Sequence, residues 1–131
     1  MIMDLEHLNN LRWRVIEAER LKERIERLRT IAESCTAQIT GMPKGSGVGN
    51  KTWDRLADAE RKYEQKIAEI ECEKLETEDW INECNDAFMR LCLARRFVDG
   101  MTWKRVALSI GGGNTATGCR VAVMRFLGVY K

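Results

Sequence analysis

The sequence predicts an all-α protein: a long antiparallel helical hairpin, coiled-coil-like, followed by a small helix-turn-helix module. Three observations predict it. Proline occurs once in 131 residues, and most glycines are bunched at 41–49 and 111–113. The remainder is rich in Glu, Arg, Leu, Ala, Ile and Lys, which are mostly good helix formers. Apolar residues recur at steps of three and four along two long stretches, the spacing of a helix face.

The first helix is predicted from Asp4 to about Ile39. Its stripe is Leu8, Leu11, Val15, Ala18, Leu21, Ile25, Leu28, Ala32, Cys35 and Ile39, close to a coiled-coil seam. Arg20, Arg24 and Arg27 line an outer face, and Glu23–Arg27 is a helix-supporting i,i+4 pair. Such a helix, roughly 50 Å long, cannot bury its stripe alone. Gly41–Asn50, with a Met-Pro step and four glycines, breaks it. A second helix is predicted from Trp53, capped by Thr52. Its heptad reads Trp53, Leu56, Glu60, Tyr63, Ile67, Ile70, Lys74, Thr77, Ile81, Cys84, Phe88 and Leu91. Glu60, Lys74 and Thr77 are polar at seam positions, where they set register or mark an opening of the seam. Two similar stripes joined by a ten-residue loop suggest an antiparallel hairpin. Residues 82–86, Asn-Glu-Cys-Asn-Asp, are weak helix formers and offer an N-cap at Asn85 or Asp86. The boundary between a hairpin arm (1–85) and a C-terminal module (86–131) is placed there.

Charge changes sign at the same point. Residues 54–86 carry five Lys/Arg and twelve Asp/Glu, net −7. Residues 87–131 carry eight and one, net +7, with Asp99 the single acid. That balance is the electrostatic footprint of a polyanion-binding module. Three short helices fit the basic segment. The first runs from about Asp86 to Val98 and ends at Asp99-Gly100, glycine supplying a left-handed cap. Thr102 caps the second, Trp103 to Ile110, with Val106, Ala107 and Ile110 facing inward. Gly111-Gly112-Gly113 form a turn, and Asn114 caps the third, Thr115 to about Leu127, with Ala116, Cys119, Val123 and Phe126 inward. A short helix, a glycine turn and a second capped helix make a helix-turn-helix layout.

In that layout the last helix enters the major groove of double-stranded DNA, its N-terminal half nearest the bases. The candidate DNA-binding residues are Asn114, Thr115, Thr117 and Gly118 at that end, then Arg120, Val121 and Arg125. Lys104 and Arg105 on the preceding helix suit the phosphate backbone, and Arg90, Arg95 and Arg96 add neutralising charge. A plain three-helix bundle with a basic surface is the bland alternative.

The stretch RRFVDGMTWKRVALSIGGGNTATGCRVAVMRFL resembles region 4 of bacterial sigma factors and the related phage late-gene regulators of the RinA and ArpU type. Arg96, Phe97, Val98, Gly100, Thr102, Trp103, Val106, Ala107, Ile110 and Gly111 carry the likeness. Met42, Pro43, Lys44, Gly45, Ser46 and Gly47 resemble a glycine-rich loop in the helical arm of the same phage proteins. The resemblance implies a phage or prophage transcriptional regulator acting at late promoters through DNA, with RNA polymerase as a further candidate partner, in the cytoplasm of a bacterial host. Sigma-like proteins usually place Arg, Gln or Glu at the start of the recognition helix. Here Thr115-Ala116-Thr117-Gly118 is small and neutral, which shifts the expected affinity toward phosphate contacts. A homodimer through the arm is expected, because one short recognition helix reads few base pairs. The alternatives are a DNA-packaging protein resembling a small terminase subunit and a coiled-coil interaction protein without DNA.

Other signals are weaker. Gly45 to Thr52 nearly spells a phosphate-binding loop, but Asn50 interrupts the required Gly-Lys-Thr and a helix precedes it. The acidic run Glu69–Glu83 reads as a solvated helix face. Trp13, Trp53, Trp80 and Trp103 fall on or beside apolar stripes, which favours core packing over base stacking. The five cysteines include no CxxC, and the only histidine is His7. No metal site, cofactor or catalytic centre is expected. Reduced, buried thiols and a reducing cytoplasm are the default reading. No apolar run of about 18 residues is present, so no membrane span is expected.

Overall fold

The computed structural model describes residues 3–39 and 47–129, with side-chain surroundings for all of these except 35–39 and 47–50. The described residues are helical and contain no strand. Among them five helices run in order: α1 (Leu5–Ile39), α2 (Gly47–Asn82), α3 (Ala87–Leu93), α4 (Trp103–Ile110) and α5 (Ala116–Phe126), with a π-helical turn at Ala94–Val98 continuing α3.

Helix α1 starts where an acceptor is available for its first orphan amides: Asp4 Oδ1 takes the His7 N–H at 2.8 Å. Helix α2 begins at Gly47, six residues before the expected start at Trp53, so Thr52 lies inside the helix and is not its cap. Once a helix is nucleated, each added residue gains a hydrogen bond without a new nucleation cost. Extension through Gly47 and Gly49 therefore costs only about 1 kcal/mol per glycine. Residues 41–46, the Met-Pro step among them, lie outside the described residues, as do the side chains of Cys35 and Ile39. Helices α1 and α2 pack as a hairpin.

The chain divides into two compact units, Glu17–Glu69 and Met1–Ile16 with Ile70–Lys131. In the first, Ile25, Leu56 and Ala59 form the buried centre, with Leu21, Leu28 and Tyr63 packed against it. Glu17 pairs with Lys66, and Arg29 with Glu60 at 2.9 Å. The order of these partners makes the two segments antiparallel. Ala59 takes the buried place that the heptad assigns to Glu60. A straight α-helix drifts from a strict seven-residue repeat, and Glu60 is left at the rim where Arg29 reaches it. Both pairs are exposed, so each contributes at most about 1 kcal/mol.

In the second unit the core combines Leu8 of α1, Ile81 of α2, Met89, Cys92, Leu93, Phe97 and Val98 of α3 and its π turn, Val106 and Ala107 of α4, and Cys119 and Val123 of α5. The break between α2 and α3 falls at residues 83–86. Asp86 caps α3, its Oδ1 accepting from Phe88 N at 3.0 Å. The first turns of α1 and the last of α2 nonetheless belong to the same compact body as α3–α5. Leu91, expected on the α2 seam, is 46% exposed, because the chain breaks and α3 turns Met89, Cys92 and Leu93 inward instead. Thr77 is fully buried on α2, and its Oγ1 has no hydrogen-bond partner.

The π turn sets the path of the chain beyond α3. Asp99 N–H bonds the Ala94 carbonyl five residues back at 3.0 Å. Phe97 and Val98 thus stand five residues after Cys92 and Leu93, and all four are buried. Met101 N–H reaches back to the Arg95 carbonyl at 3.1 Å around Gly100, whose φ is +77°. The loop is one residue wider than the usual six-to-one closure of a left-handed helix end, as fits the π turn it closes. A side chain there would also stand 3.3 Å from Val15 Cγ1, so glycine permits α1 to approach the turn.

Candidate nucleic-acid interface

Helices α4 and α5 are built as the sequence leads one to expect, with two corrections. Thr102 caps α4, its Oγ1 accepting from Arg105 N at 3.3 Å. Gly111, Gly112 and Gly113 then take φ of +73°, +64° and +79°, a left-handed run that L side chains rarely adopt. Thr115, not Asn114, caps α5: its Oγ1 accepts from Gly118 N at 3.0 Å. Asn114 instead closes the turn, Nδ2 donating to the Gly111 carbonyl at 2.7 Å. Both residue types cap helices, and the extra residue of the glycine turn gives the position to Thr115. On α5, Cys119 and Val123 are buried one turn apart, opposite Val106 and Ala107. Phe126, expected inward, is 45% exposed. It lies on the last turn of α5, where its ring rests 6.1 Å from that of Trp80.

The candidate residues fall into two groups. Asn114, Thr115, Thr117 and Gly118 are exposed at the start of α5, and Arg125 is exposed on its last turn. Lys104 and Arg105 are exposed on the first turn of α4. Arg120 and Val121 are half-buried. Two of the polar groups already serve the fold: the Thr115 oxygen as a cap and the Asn114 amide in the turn. A Cβ at Gly118 would stand 3.0 Å from Thr115 Oγ1, so the glycine keeps the cap open and leaves the first turn of α5 bare.

The three arginines upstream are placed differently from expectation. Arg90 donates from Nη1 to the Cys84 carbonyl at 2.6 Å. Arg95 pairs with Asp99 at 3.6 Å. Arg96 lies over the Trp103 ring at 4.6 Å and donates to the Met101 carbonyl. Their charge remains, and each directs one terminal nitrogen at a group of the protein. Burial, and then the nearby Arg12, hold the Arg96 guanidinium down at about 10.

Arg12 belongs to no motif visible in the sequence. It is 7% exposed, and burial lowers its pKa. The one signal for it is spacing: Arg12 stands four residues after Leu8 and beside Leu11, on the wider stripe of a core-facing helix. Trp13 and Trp53 are 61% and 42% exposed. Trp80 and Trp103 pack against the core of the second unit.

Cys92 and Cys119 are buried neighbours, and Cys72 is exposed. Burial first, then Cys119, push the Cys92 thiol up to about 12, so it is an inert core thiol. Among the described residues no group of three His, Cys, Asp or Glu is arranged to hold a metal ion, and no helix is long and apolar enough to cross a membrane. No family model, curated protein or solved structure matches the chain.

Proposed function

We propose that α4 and α5 form a helix-turn-helix that binds double-stranded DNA, in a transcriptional regulator of the phage late-gene type. The observation that carries this reading is the pair of short capped helices joined by three left-handed glycines, with Lys104 and Arg105 exposed on one and Thr117 and Arg125 on the other. A segment of net charge +7 surrounds them. Helix α5 reads the groove with few base-specific groups, since Thr115 and Asn114 are engaged locally. Phosphate contacts therefore supply most of the affinity, and a second subunit or RNA polymerase supplies specificity. The arm formed by α1 and α2 is the candidate surface for both.

The test is binding of the full chain to a pool of genomic fragments at two salt concentrations, beside an Arg120→Ala/Arg125→Ala variant. Binding weakens with salt, with a slope of about −0.9 per neutralised phosphate, and weakens again in the variant. Absence of binding at low salt, or a variant that binds as well as the parent, overturns the proposal. Enrichment of a promoter-like fragment favours regulation, whereas a ring of many subunits by light scattering favours packaging.

A further inference from the structure

Two arginines with no acidic partner among the described residues meet beside the start of α4. Arg12 Nε donates to the Met101 carbonyl oxygen at 3.4 Å, and Arg96 Nη1 donates to the same oxygen at 3.0 Å. Arg96 Nε is buried with no hydrogen-bond partner. The ion pairs formed by Glu17, Asp58, Glu60, Glu71, Glu73 and Asp99 include neither of these guanidiniums. Each guanidinium lies against an indole instead, Arg12 at 5.0 Å from the Trp13 ring and Arg96 at 4.6 Å from that of Trp103.

Buried charge is ordinarily paired, and one carbonyl dipole with two ring faces offsets only part of the cost of two like charges. Burial lowers the pKa of both groups, and Arg12 lowers that of Arg96 further. The shared carbonyl stands two residues before α4, so the pair also lies beside the positive end of that eight-residue helix. We propose that Arg12 and Arg96 form a binding site for a phosphate-type oxyanion. Such a group carries several acceptors on one centre and can serve both guanidiniums and the orphan Nε–H together. Arg96 is only half-buried, and Thr102 and Lys104, the chain neighbours of the Trp103 it covers, are exposed, which gives the anion its approach.

The phosphate has two possible sources, free inorganic phosphate or the DNA backbone, and the site itself does not depend on the DNA-binding reading. The ¹⁵N-labelled full chain is titrated with inorganic phosphate against sodium chloride at matched ionic strength. The Nε–H signals of Arg12 and Arg96 and the Trp103 indole signal are followed. Saturable shifts specific to phosphate are expected. Arg12→Gln weakens phosphate binding about tenfold or more, the loss of one charge-assisted donor. Arg96→Lys, which keeps the charge and removes the Nε donor, weakens it as well with the far-ultraviolet spectrum unchanged.

In a second arm a short DNA duplex is added. If the backbone is the source, the duplex displaces free phosphate and Arg12→Gln reduces the salt slope of DNA binding by about 0.9. If the source is free phosphate, the shifts survive the duplex. The Arg120→Ala/Arg125→Ala variant retains phosphate binding in either case, which separates this site from the α5 surface. Shifts that track chloride without saturating, or that are unchanged in both single variants, overturn the proposal.

Discussion

Replacing Thr77 by valine raises the stability of the protein. Thr77 is 0% exposed on α2, and its hydroxyl oxygen is buried without a partner. An unsatisfied buried hydroxyl costs about 1–3 kcal/mol in lost hydration. Valine has nearly the same shape, differs little from threonine in helix propensity, and adds a methyl group worth up to about 0.8 kcal/mol when buried. Allowing for imperfect fit of the new methyl, the expected gain is about 1–2 kcal/mol. At this chain length that raises Tm by about 4–8 °C. Urea unfolding followed by far-ultraviolet circular dichroism measures it: the midpoint rises and the m-value stays the same. The order Thr77→Val above the parent, with Thr77→Ser below Thr77→Ala, isolates the hydroxyl from the loss of volume. A lower midpoint for Thr77→Val refutes the reasoning, because it means that the hydroxyl is satisfied by a bridging water or by the carbonyl one turn back.

Three other outcomes rest on local geometry and burial. Gly100→Ala combines a φ of +77° with a Cβ 3.3 Å from Val15 Cγ1, and lowers stability by about 1–3 kcal/mol in thermal unfolding. Thr115→Ala removes the α5 cap and lowers stability by about 1 kcal/mol, whereas Thr115→Ser retains most of it; equal losses in the two variants would show that the cap contributes nothing. Cys92, raised to about 12 in the folded protein, stays protonated where an unfolded thiol, near 9, ionises. Its contribution to stability is therefore intact below pH about 9 and is lost as pH rises toward 12. A stability profile that is flat from pH 8.5 to 11 in the parent, or falls equally in Cys92→Ala, contradicts this.

The sequence is most readable where local chemistry is unambiguous. Thr102 before Trp103 and Asp99-Gly100 after Val98 each admit one reading, because few residue types satisfy a helix end or a left-handed backbone position. The register of α1 is equally plain, since Leu8, Leu11, Ala18, Ile25 and Ala32 recur at steps of three or seven and are all buried. Legibility fails where tertiary contacts choose between local equals. Asn114 and Thr115 are both good caps, and only the length of the glycine turn separates them. The start of α2 escapes because propagation from a formed helix overrides glycine's poor propensity. Within the candidate interface, the basic composition of residues 87–131 is visible in the sequence. That Arg90, Arg95 and Arg96 direct donors at Cys84, Asp99 and Met101 is visible only once the turns after α2 and α3 are built.

The π turn at Ala94–Val98 bears on how relatives of this chain are to be sought. Such a turn is how a helix absorbs one additional residue, and it rotates everything downstream by about 100° relative to an uninterrupted α-helix. A relative lacking that residue would carry its aromatic–aliphatic pair four positions after the counterparts of Cys92 and Leu93 and keep the same core. A fixed-period pattern drawn through this segment would then slip at residue 94 and set Arg96 against a core position of the relative. Aligning the two halves on either side of the turn separately, with a one-residue gap allowed between them, restores the match between Phe97 and its equivalent.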